Sequence, residues 1–461
     1  MSFRAPWLVS RRRKILAIAL DFFILIFIYQ ITYNNKFSSN PNFIVSYSVT
    51  NFWIIVSYIL GRYMKIRDIN IATFTNALFK TSILFLACNI IYLLINWGYS
   101  VGLFLLNEKI FFTSSEKELS NFFIKSSFYF SIASLFIQYF LSLLTHNIYD
   151  NRKDWIFCGS ESKFNELLEE ISFNSQKLNL KRFSDDKNLH DIDFKNIEGI
   201  IVNDFKKITK SNLNLIFNLK LKGLKVLSVL TWFEKEFHRI PTKIISNKYQ
   251  LLDKIQSIED TYQIRIKRVG DMIVSSFLLI LCSPIFLIVS ILIFVEDRGP
   301  ILYFQKRSGL KNLDINVIKF RSMKIDAEKN GIQWSQRSDP RITKVGKFLR
   351  ATRIDELPQL LCVIQGSMSL IGPRPERPEI EMNLLKTIPY YECRNVVRPG
   401  ISGWAQVNYP YGASVSDTVN KLSFDIYYIS NFSILLDLLI LLKTIKVVLT
   451  GKGHKPKNTK R

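Results

Sequence analysis

The sequence predicts a membrane α plus α/β protein. We expect a four-helix transmembrane bundle, a small Rossmann-like α/β domain, and a mainly helical domain that contains a re-entrant membrane helix. Four apolar runs fill the first third of the 461 residues, short strands alternate with helical patterns in the middle, and an uncharged run spans Met272 to Val295. The expected boundaries are 1–150, 151–250 and 262–453, with re-entrant helix 272–295 and a basic tail, 454–461.

The charge balance limits the classes of partner. The formal net charge is +24, from 62 Lys and Arg against 38 Asp and Glu, which suits nucleic acid, an anionic membrane face or phosphorylated substrates. We favour the last two, because membrane spans are present and the sequence has no recognisable nucleic-acid-binding motif. The five cysteines are irregularly spaced and predict neither a disulfide framework nor a zinc site.

The first domain is predicted to cross the membrane four times. Each crossing needs about 20 apolar residues, and the candidates are roughly Ile15–Tyr33, Phe43–Gly61, Phe74–Trp97 and Asn121–Leu144. The first run lacks a small-residue cleavage site, so we interpret it as an anchor and not as a removed signal. Cations cluster at Arg11–Arg13, at Arg62, Lys65 and Arg67, and at Arg152-Lys153. The N-terminus and the chain after the fourth span are therefore predicted to be cytoplasmic.

Two charges fall inside these runs. Asp21 and Lys80 each lie six residues into a span, and the two spans run in the same direction. Since an unpaired charge within a membrane is costly, we predict an Asp21–Lys80 pair. The alternative is that each side chain reaches the interface separately.

The middle domain alternates strands with helices, which predicts a parallel sheet. The helix is Phe164–Ile171, and the strands are Trp155–Gly159, Gly199–Val202 and Val226–Leu230. The first turn has a single glycine, Gly159, instead of the repeated glycines of a dinucleotide site. We therefore expect a structural or regulatory module, followed by a linker helix over 245–263.

Met272–Val295 is long enough to span a membrane. Ser283-Pro284 lies near its middle, and a proline removes a helical hydrogen bond. The run alone is compatible with a fifth span or with a helix that enters and leaves by one face. The re-entrant path is favoured because it keeps the downstream residues in the cytoplasm, where nucleotide-activated sugars are found.

Asp355 and Glu356 precede an apolar helical pattern, Leu357–Leu361. Acidic residues with an early proline are typical of a helix start, and that is one interpretation. The same position also suits chemistry, because a helix N-terminus favours phosphate and a carboxylate can form an acyl phosphate. Two carboxylates beside diphosphate oxygens suit Mg²⁺, which we expect at Asp355 and Glu356.

Cations recur around this acidic pair. Arg350 and Arg353 precede it, and Gly372–Pro375 predicts a rigid turn that presents Arg374, although a loop with a surface arginine would look the same. The other candidates are Lys319, Arg321 and Arg341. No histidine lies between His238 and His454, so this region has no imidazole. Clustered arginines favour phosphoryl-type transfer, which depends on charge stabilisation and positioning.

The order of motifs resembles the bacterial sugar transferases, or polyprenyl-phosphate hexose-1-phosphate transferases. The resemblance covers about 262–453, and the upstream part is similar to the long, exopolysaccharide-associated members. The matching motifs are Lys267-Arg268 with Asp271, Ser283-Pro284, Lys319–Met323, Asp339–Thr343, Arg353–Gln359, Gly366–Pro375, Pro399–Asn408, and Asp425 with Tyr427-Tyr428. One departure is that Tyr409–Gly412 follows Asn408, where many members have Gly-Arg.

The resemblance implies a role for each site residue. Asp355 would be the nucleophile, with Glu356 completing the dyad and Mg²⁺ bound at both. Arg350 and Arg374 would contact phosphate or nucleotide, and Asp425 would be a supporting acidic residue. Ser283-Pro284 would make the re-entrant break.

The implied reaction transfers a hexose-1-phosphate from an NDP-sugar, expected to be a UDP-sugar, to undecaprenyl phosphate. It would release a nucleoside monophosphate and begin exopolysaccharide or O-antigen synthesis at the bacterial inner membrane. The expected partners are the NDP-sugar, polyprenyl phosphate and the bilayer, with a homodimer left open. Two other hypotheses remain: an inactive membrane scaffold or nucleotide sensor, and a glycosyltransferase that leaves the β-phosphate behind. Ile434–Leu449 is predicted to be a helix that lies on the membrane and does not cross it.

Overall fold

The computed structural model describes residues 11–34, 43–63, 74–90, 114–150, 154–172, 179–183, 194, 197–205, 208–245, 251, 262–327, 339–410 and 414–450. The chain forms two compact units, one of Trp7–Lys153 and one that contains Asp154–Arg461. Some predictions lie outside the described residues. Among them are the end of the third apolar run at 91–97, most of the linker 245–263, the cations Lys65, Arg67, Arg152 and Lys153, and the tail 454–461.

The first unit has helices at all four predicted apolar runs. They are α1 (Arg12–Asn34), α2 (Phe43–Leu60), α3 (Phe74–Ile90) and α4 (Ser114–Asp150). Leu25, Trp53, Leu84 and Phe130, one from each helix, belong to one buried cluster. Within the described part of this unit, Lys14–Thr32 is long and apolar enough to cross a membrane, with a mean hydropathy of 2.3.

A buried polar network holds this unit together, and it corrects one prediction. Asp21 forms an ion pair with Arg62, with 3.6 Å between Oδ2 and Nη1, so the predicted pair with Lys80 is wrong. The chain turns back after α2 at Gly61, which has a φ of 72°, and this turn brings the guanidinium to the carboxylate. The remaining hydrogen bonds to Asp21 come from Tyr63, Ser134 and Gln138, at 2.9, 2.9 and 3.0 Å.

The second unit begins with a small parallel sheet, as predicted. Its strands are β1 (Asp154–Cys158), β2 (Leu180–Phe183), β3 (Ile197–Val202) and β4 (Lys225–Ser228), in the order β2-β1-β3-β4. The helices are α5 (Glu161–Ser172), α6 (Lys210–Leu221) and α7 (Val229–Glu236). Strand β2 was not predicted. The predicted strand through Leu230 ends at Ser228, because the Ser228 hydroxyl accepts a hydrogen bond from the Thr231 amide and caps α7.

Gly159 follows β1 and is tightly packed. A Cβ there would lie 2.8 Å from the Phe157 ring and 2.9 Å from Cβ of Asn203. The missing side chain therefore permits close packing within the module, which agrees with a structural role for this glycine.

Helix α8 (Tyr262–Asp297) is the longest apolar helix among the described residues of the second unit. It has 36 residues, a mean hydropathy of 3.0, and Pro284 in its interior. Helical residues lie on both sides of Ser283-Pro284. Pro284 cannot donate to the Ile280 carbonyl, but Ser283 Oγ donates to that oxygen at 2.8 Å. The serine therefore replaces the hydrogen bond that the proline removes.

Short elements follow α8. Strands β5 (Leu302–Ser308) and β6 (Asp314–Phe320) form an antiparallel hairpin, and β7 (Ser369–Ile371) pairs in parallel with β8 (Gly400–Ser402). The helices are α9 (Lys344–Thr352), α10 (Gln359–Gln365), α11 (Pro378–Thr387), α12 (Trp404–Asn408), α13 (Val415–Ser430) and α14 (Ile434–Thr450). The last of these confirms the predicted helix near the end of the chain.

The α/β module is attached to α13 through buried polar contacts. Arg239 is 2% exposed and pairs with Glu170 of α5 at 3.0 Å, and its Nη1 also donates to Asn420 of α13 at 3.3 Å. The Trp404 indole donates to the His238 carbonyl at 2.9 Å. The module and the downstream elements therefore share one interior.

Candidate active site

Asp355 and Glu356 lie in a single 3₁₀ turn, Ile354–Glu356, between α9 and α10. Arg353 ends α9 in the left-handed conformation, with φ 62°, and redirects the chain into this turn. The N-cap of α10 is Pro358, which makes no side-chain capping bond. The sequence interpretation of an acidic helix start is therefore corrected, because the carboxylates belong to a separate turn and do not cap a helix.

Glu356 is held by two arginines. Its Oε1 accepts hydrogen bonds from Arg374 Nη2 at 2.7 Å and from Arg353 Nη1 at 3.3 Å. Burial raises the pKa of Glu356, but the positive charges of Arg374, Arg353 and Lys319 outweigh it and place the pKa well below its usual range. Glu356 is therefore a fixed anion.

Asp355 has a different environment, although it is equally buried at 8% exposure. Burial, with the neighbouring charge of Glu356, raises the pKa of Asp355 to about 6, against the opposing charges of Lys319, Arg350 and Arg353. Its buried Oδ1 accepts no hydrogen bond within the described part of the chain. Asp355 is therefore a carboxylate that is charged at neutral pH and has an oxygen available for chemistry.

Lys319 of β6 is the third charged group at the turn. Burial, together with the charges of Arg374 and Arg307, lowers the pKa of Lys319 to about 7, while Glu356 and Asp355 oppose this shift. Arg350 of α9 donates from Nε to Ser322 Oγ at 3.0 Å and lies near enough for its charge to affect Asp355. The structure thus brings together five predicted residues besides Asp355: Glu356, Arg350, Arg353, Arg374 and Lys319.

Two other predicted cations are engaged elsewhere. Arg321 forms an ion pair with Asp297 at the end of α8. Arg341 binds both carboxylate oxygens of Asp339, at 2.8 and 2.6 Å. These contacts anchor the framework around the turn and do not place either arginine on the acidic pair.

Asp425 is also one step removed from the pair. It is 3% exposed and lies 3.4 Å from Nη2 of Arg394. The same nitrogen donates to the backbone oxygen of Arg374 at 2.5 Å, so Asp425 supports the loop that presents Arg374. Burial raises the pKa of Asp425 to about 6, against the charge of Arg394.

Two arginines of this framework were missed by sequence reasoning. Arg394 donates to the nearby Tyr391 hydroxyl at 2.6 Å, but the partners that connect it to the site, Asp425 and the Arg374 carbonyl, lie on distant segments. Arg307 lies on β5 and donates to the Pro375 carbonyl at 3.2 Å, which fixes the other side of the Arg374 turn. The sequence signal that could have identified Arg307 is its position two residues after Gln305, which places both side chains on one face of β5. In the structure, Nε and Nη2 of Arg307 both donate to Gln305 Oε1.

A family profile described as "Bacterial sugar transferase" matches residues 262–451. An "Exopolysaccharide production protein PSS" of Rhizobium leguminosarum bv. phaseoli is 38% identical over 195 residues, which are 41% of this chain and 98% of that protein. The chain belongs to the bacterial sugar transferase family. This bacterial sugar transferase thus carries its family region in the part of the chain that holds the acidic pair.

Longer relatives match the same region. A "UDP-N-acetylgalactosamine-undecaprenyl-phosphate N-acetylgalactosaminephosphotransferase" of Aeromonas hydrophila is 48% identical over 188 residues, 41% of this chain and 44% of that protein. A "UDP-glucose:undecaprenyl-phosphate glucose-1-phosphate transferase" of Escherichia coli K12 is 37% identical over 184 residues, 39% of each chain. The match to this bacterial sugar transferase thus spans less than half the length of these two relatives.

Proposed function

We propose that this bacterial sugar transferase moves a hexose-1-phosphate from a UDP-sugar to undecaprenyl phosphate, as the initiating step of exopolysaccharide or O-antigen synthesis. The observation that carries the proposal is Asp355, a buried carboxylate whose Oδ1 accepts no hydrogen bond within the described residues, beside the clamped anion Glu356. The names of the relatives, which combine a UDP-sugar with undecaprenyl phosphate, support the same reaction.

In the first step the Asp355 carboxylate attacks the phosphorus that carries the sugar. The bond from this phosphorus to the oxygen of the uridine monophosphate group breaks, and UMP leaves with the electron pair. The product is an acyl phosphate between Asp355 and the sugar-1-phosphate. In the second step an oxygen of undecaprenyl phosphate attacks the same phosphorus, which frees the carboxylate and gives the lipid-diphospho-sugar.

The surrounding cations fit this chemistry. Negative charge accumulates on phosphate oxygens in both steps, and fixed cations in a partly dry site stabilise it strongly. Lys319, Arg350 and Arg374 are the groups placed to do so. Because Arg374 is held by Glu356 and Arg394, it keeps its position without help from substrate.

A magnesium ion fits the acidic pair. Mg²⁺ commonly takes one or two protein carboxylates, with substrate phosphates and water as its other ligands. Asp355 Oδ1 is a buried oxygen without a hydrogen-bond donor, and Glu356 Oε2 has only a 3.5 Å contact from Arg374. The described residues hold no group of three or more metal-binding side chains. Asp355 and Glu356 would therefore hold the ion together with the diphosphate, whose charge it would neutralise.

The anchoring of α8 supports a one-sided membrane attachment. Near its start, Arg268 donates to the Val363 and Ile364 carbonyls at the end of α10. At its other end, Glu296 accepts the Lys344 amide of α9 at 2.7 Å. Both ends are thus fixed to one folded unit, while the middle exposes residues such as Ile280, at 75%. We therefore propose a re-entrant α8, a cytoplasmic active site and a multi-pass first unit.

The membrane arrangement is tested by thiol labelling. Tyr262 and Leu313 are 71% and 67% exposed and lie on the two sides of the apolar stretch. Tyr262→Cys and Leu313→Cys should both react with an impermeant thiol reagent from the cytoplasmic face, above the background of the native cysteines. Labelling from opposite faces would establish a fifth span and remove the re-entrant proposal.

The reaction is tested by product analysis. Purified protein in nanodiscs is incubated with undecaprenyl phosphate and a panel of UDP-sugars, beginning with UDP-N-acetylgalactosamine, which the relative at 48% identity is named for. The expected products are UMP and a lipid-diphospho-sugar. Release of UDP would instead indicate a glycosyltransferase that leaves the β-phosphate behind. If no donor reacts, the scaffold or sensor hypothesis gains support.

Substitution then tests the assignment of the nucleophile. Asp355→Asn should abolish UMP release, whereas Glu379→Gln, which changes an exposed carboxylate of α11, should not affect it. Full turnover by Asp355→Asn would refute the role of Asp355.

A further inference from the structure

A cationic cavity lies beside the first turns of α8. It has a volume of about 430 Å³ and is lined by that helix, by β7, by the segment before β8 and by the end of α13. Its charged lining residues are Arg265, Lys267, Arg268, Asp271 and Arg398. Neither Asp355 nor Glu356 lines it, so it is separate from the acidic pair.

The cavity has an excess of positive charge. Lys267 is neutralised by Asp437, at 2.6 Å, and lies 3.9 Å from Asp271. Among the described residues, no carboxylate forms an ion pair with Arg265, Arg268 or Arg398. Arg268 donates only to backbone carbonyls, at the end of α10, and Arg398 donates to the Gly366 carbonyl at 3.0 Å. Asp437 balances Lys267, and Asp271 is the carboxylate of the lining, so the three guanidinium groups leave the cavity wall with a net positive charge.

The wall that carries these charges is held in place. Ser369 of β7 donates to Asp271 at 2.6 Å, and Tyr428 of α13 donates to Asp437 of α14 at 2.8 Å. With the Lys267–Asp437 pair, these bonds tie the start of α8 to three other elements. The cationic lining is therefore set before any ligand arrives, which lowers the cost of binding.

The rest of the lining is apolar. Ile264, Val397 and Phe432 are among the apolar residues around the cavity. The next turns of α8 expose Ile273 and Phe277, at 64% and 63%. A ligand that matches the whole site therefore has a phosphate, which guanidinium groups bind well, and a hydrocarbon chain.

We propose that this cavity binds the phosphate group of a lipid, with its chain along the exposed face of α8. Two lipids have this chemistry. One is the polyprenyl phosphate acceptor, which would bind here before its phosphate reaches Asp355, and the other is an anionic phospholipid of the bilayer. The first of these rests on the proposed function, whereas binding of phospholipid does not.

The test uses Arg265→Glu in the full chain. Arg265 is exposed and makes no hydrogen bond or ion pair with the described residues, so the substitution removes no internal contact. Lys386→Glu, at an exposed position on α11, is the control with the same change of charge. Arg398→Met is a second variant that removes a cation without adding an anion.

Native mass spectrometry measures occupancy with undecaprenyl phosphate or with phosphatidylglycerol, each added to protein in phosphatidylcholine nanodiscs. Loss of one charge-assisted contact predicts that Arg265→Glu weakens binding about tenfold, with a smaller loss for Arg398→Met and none for Lys386→Glu. The lipid whose occupancy falls identifies the source. Equal occupancy by both lipids in wild type, Arg265→Glu and Arg398→Met would overturn the proposal.

A second readout separates this proposal from the reaction itself. If undecaprenyl phosphate is the ligand, its KM should rise about tenfold in Arg265→Glu. If the wild-type protein forms no lipid-linked product, the proposed function is refuted. The lipid occupancies of the wild type and the variants would still test the cavity proposal.

Discussion

Arg374 Nη2 donates to Glu356 Oε1 over 2.7 Å, and the backbone oxygen of Arg374 accepts from the buried Arg394. Arg394 in turn pairs with Asp425 of α13. Glu356 is therefore fixed at one end of a chain of contacts that begins on a helix far along the sequence. The arginine at the centre of this chain is both a partner of Glu356 and a candidate phosphate ligand.

Replacing Arg374 tests whether it acts on the substrate or through Glu356. Arg374→Met should lower kcat/KM for the UDP-sugar on the order of a hundredfold, the usual loss when a preorganised charge is removed from an active site. Steady-state UMP release measures it, with Lys386→Met as the control. A variant within a factor of about two of wild type would show that Arg374 acts neither on the substrate nor through Glu356.

The pKa of Asp355, about 6, predicts an acid limb in the pH profile. The nucleophile must be charged, and a raised pKa means that protonation begins closer to neutrality. Since kcat/KM reports the pKa values of the free enzyme, kcat/KM for UMP release should fall about tenfold per pH unit below 6. Because the charge of Glu356 raises the pKa of Asp355, Glu356→Gln should move the midpoint of this limb to lower pH. An unchanged midpoint would contradict the coupling between the two carboxylates.

Lys319 predicts a second limb on the alkaline side. Its pKa of about 7 means that it loses its positive charge as the pH rises above neutrality, so KM for the UDP-sugar should increase there. Lys319→Arg keeps the charge at all accessible pH values and should flatten this limb. The prediction fails if wild type and Lys319→Arg have the same alkaline dependence of KM.

Ser283, which precedes Pro284 in α8, should contribute more to thermal stability than Ser290 of the same helix. Ser283→Ala leaves the Ile280 carbonyl without a donor, and an unsatisfied polar group in apolar surroundings costs roughly 1–3 kcal/mol. Ser290 is the matched control, because its hydroxyl donates to Phe286 at 2.7 Å, a carbonyl that the Ser290 amide can also serve. Thermal unfolding in nanodiscs should show a lower Tm for Ser283→Ala than for Ser290→Ala.

The buried pair between Arg239 and Glu170 should stabilise the second unit strongly. Removing one partner of a buried ion pair costs roughly 3–5 kcal/mol, whereas the more exposed Arg182–Glu161 pair should contribute about 0–1 kcal/mol. A double-mutant cycle with Arg239→Met and Glu170→Gln should be non-additive, as measured by Tm or protease resistance. Additive losses would indicate that the two side chains stabilise the unit independently.

The local patterns predicted much of this molecule. The length of the apolar runs located the four helices of the first unit, and the acidic pair with its nearby arginines identified the candidate site. Such patterns do not predict contacts between distant segments, such as those of Arg394 with Asp425 and with the Arg374 carbonyl. The wrong partner predicted for Asp21 has this origin, because Arg62 reaches the carboxylate only where the chain turns back at Gly61.

The attachment of the α/β module to Trp404 has a consequence for dissection of the protein. The indole donates to the His238 carbonyl and stacks on Tyr427, so a fragment that starts at Tyr262 would open this aromatic surface to water. Fragments of this chain should therefore begin before β1, because a shorter fragment would expose this aromatic surface to solvent and aggregate.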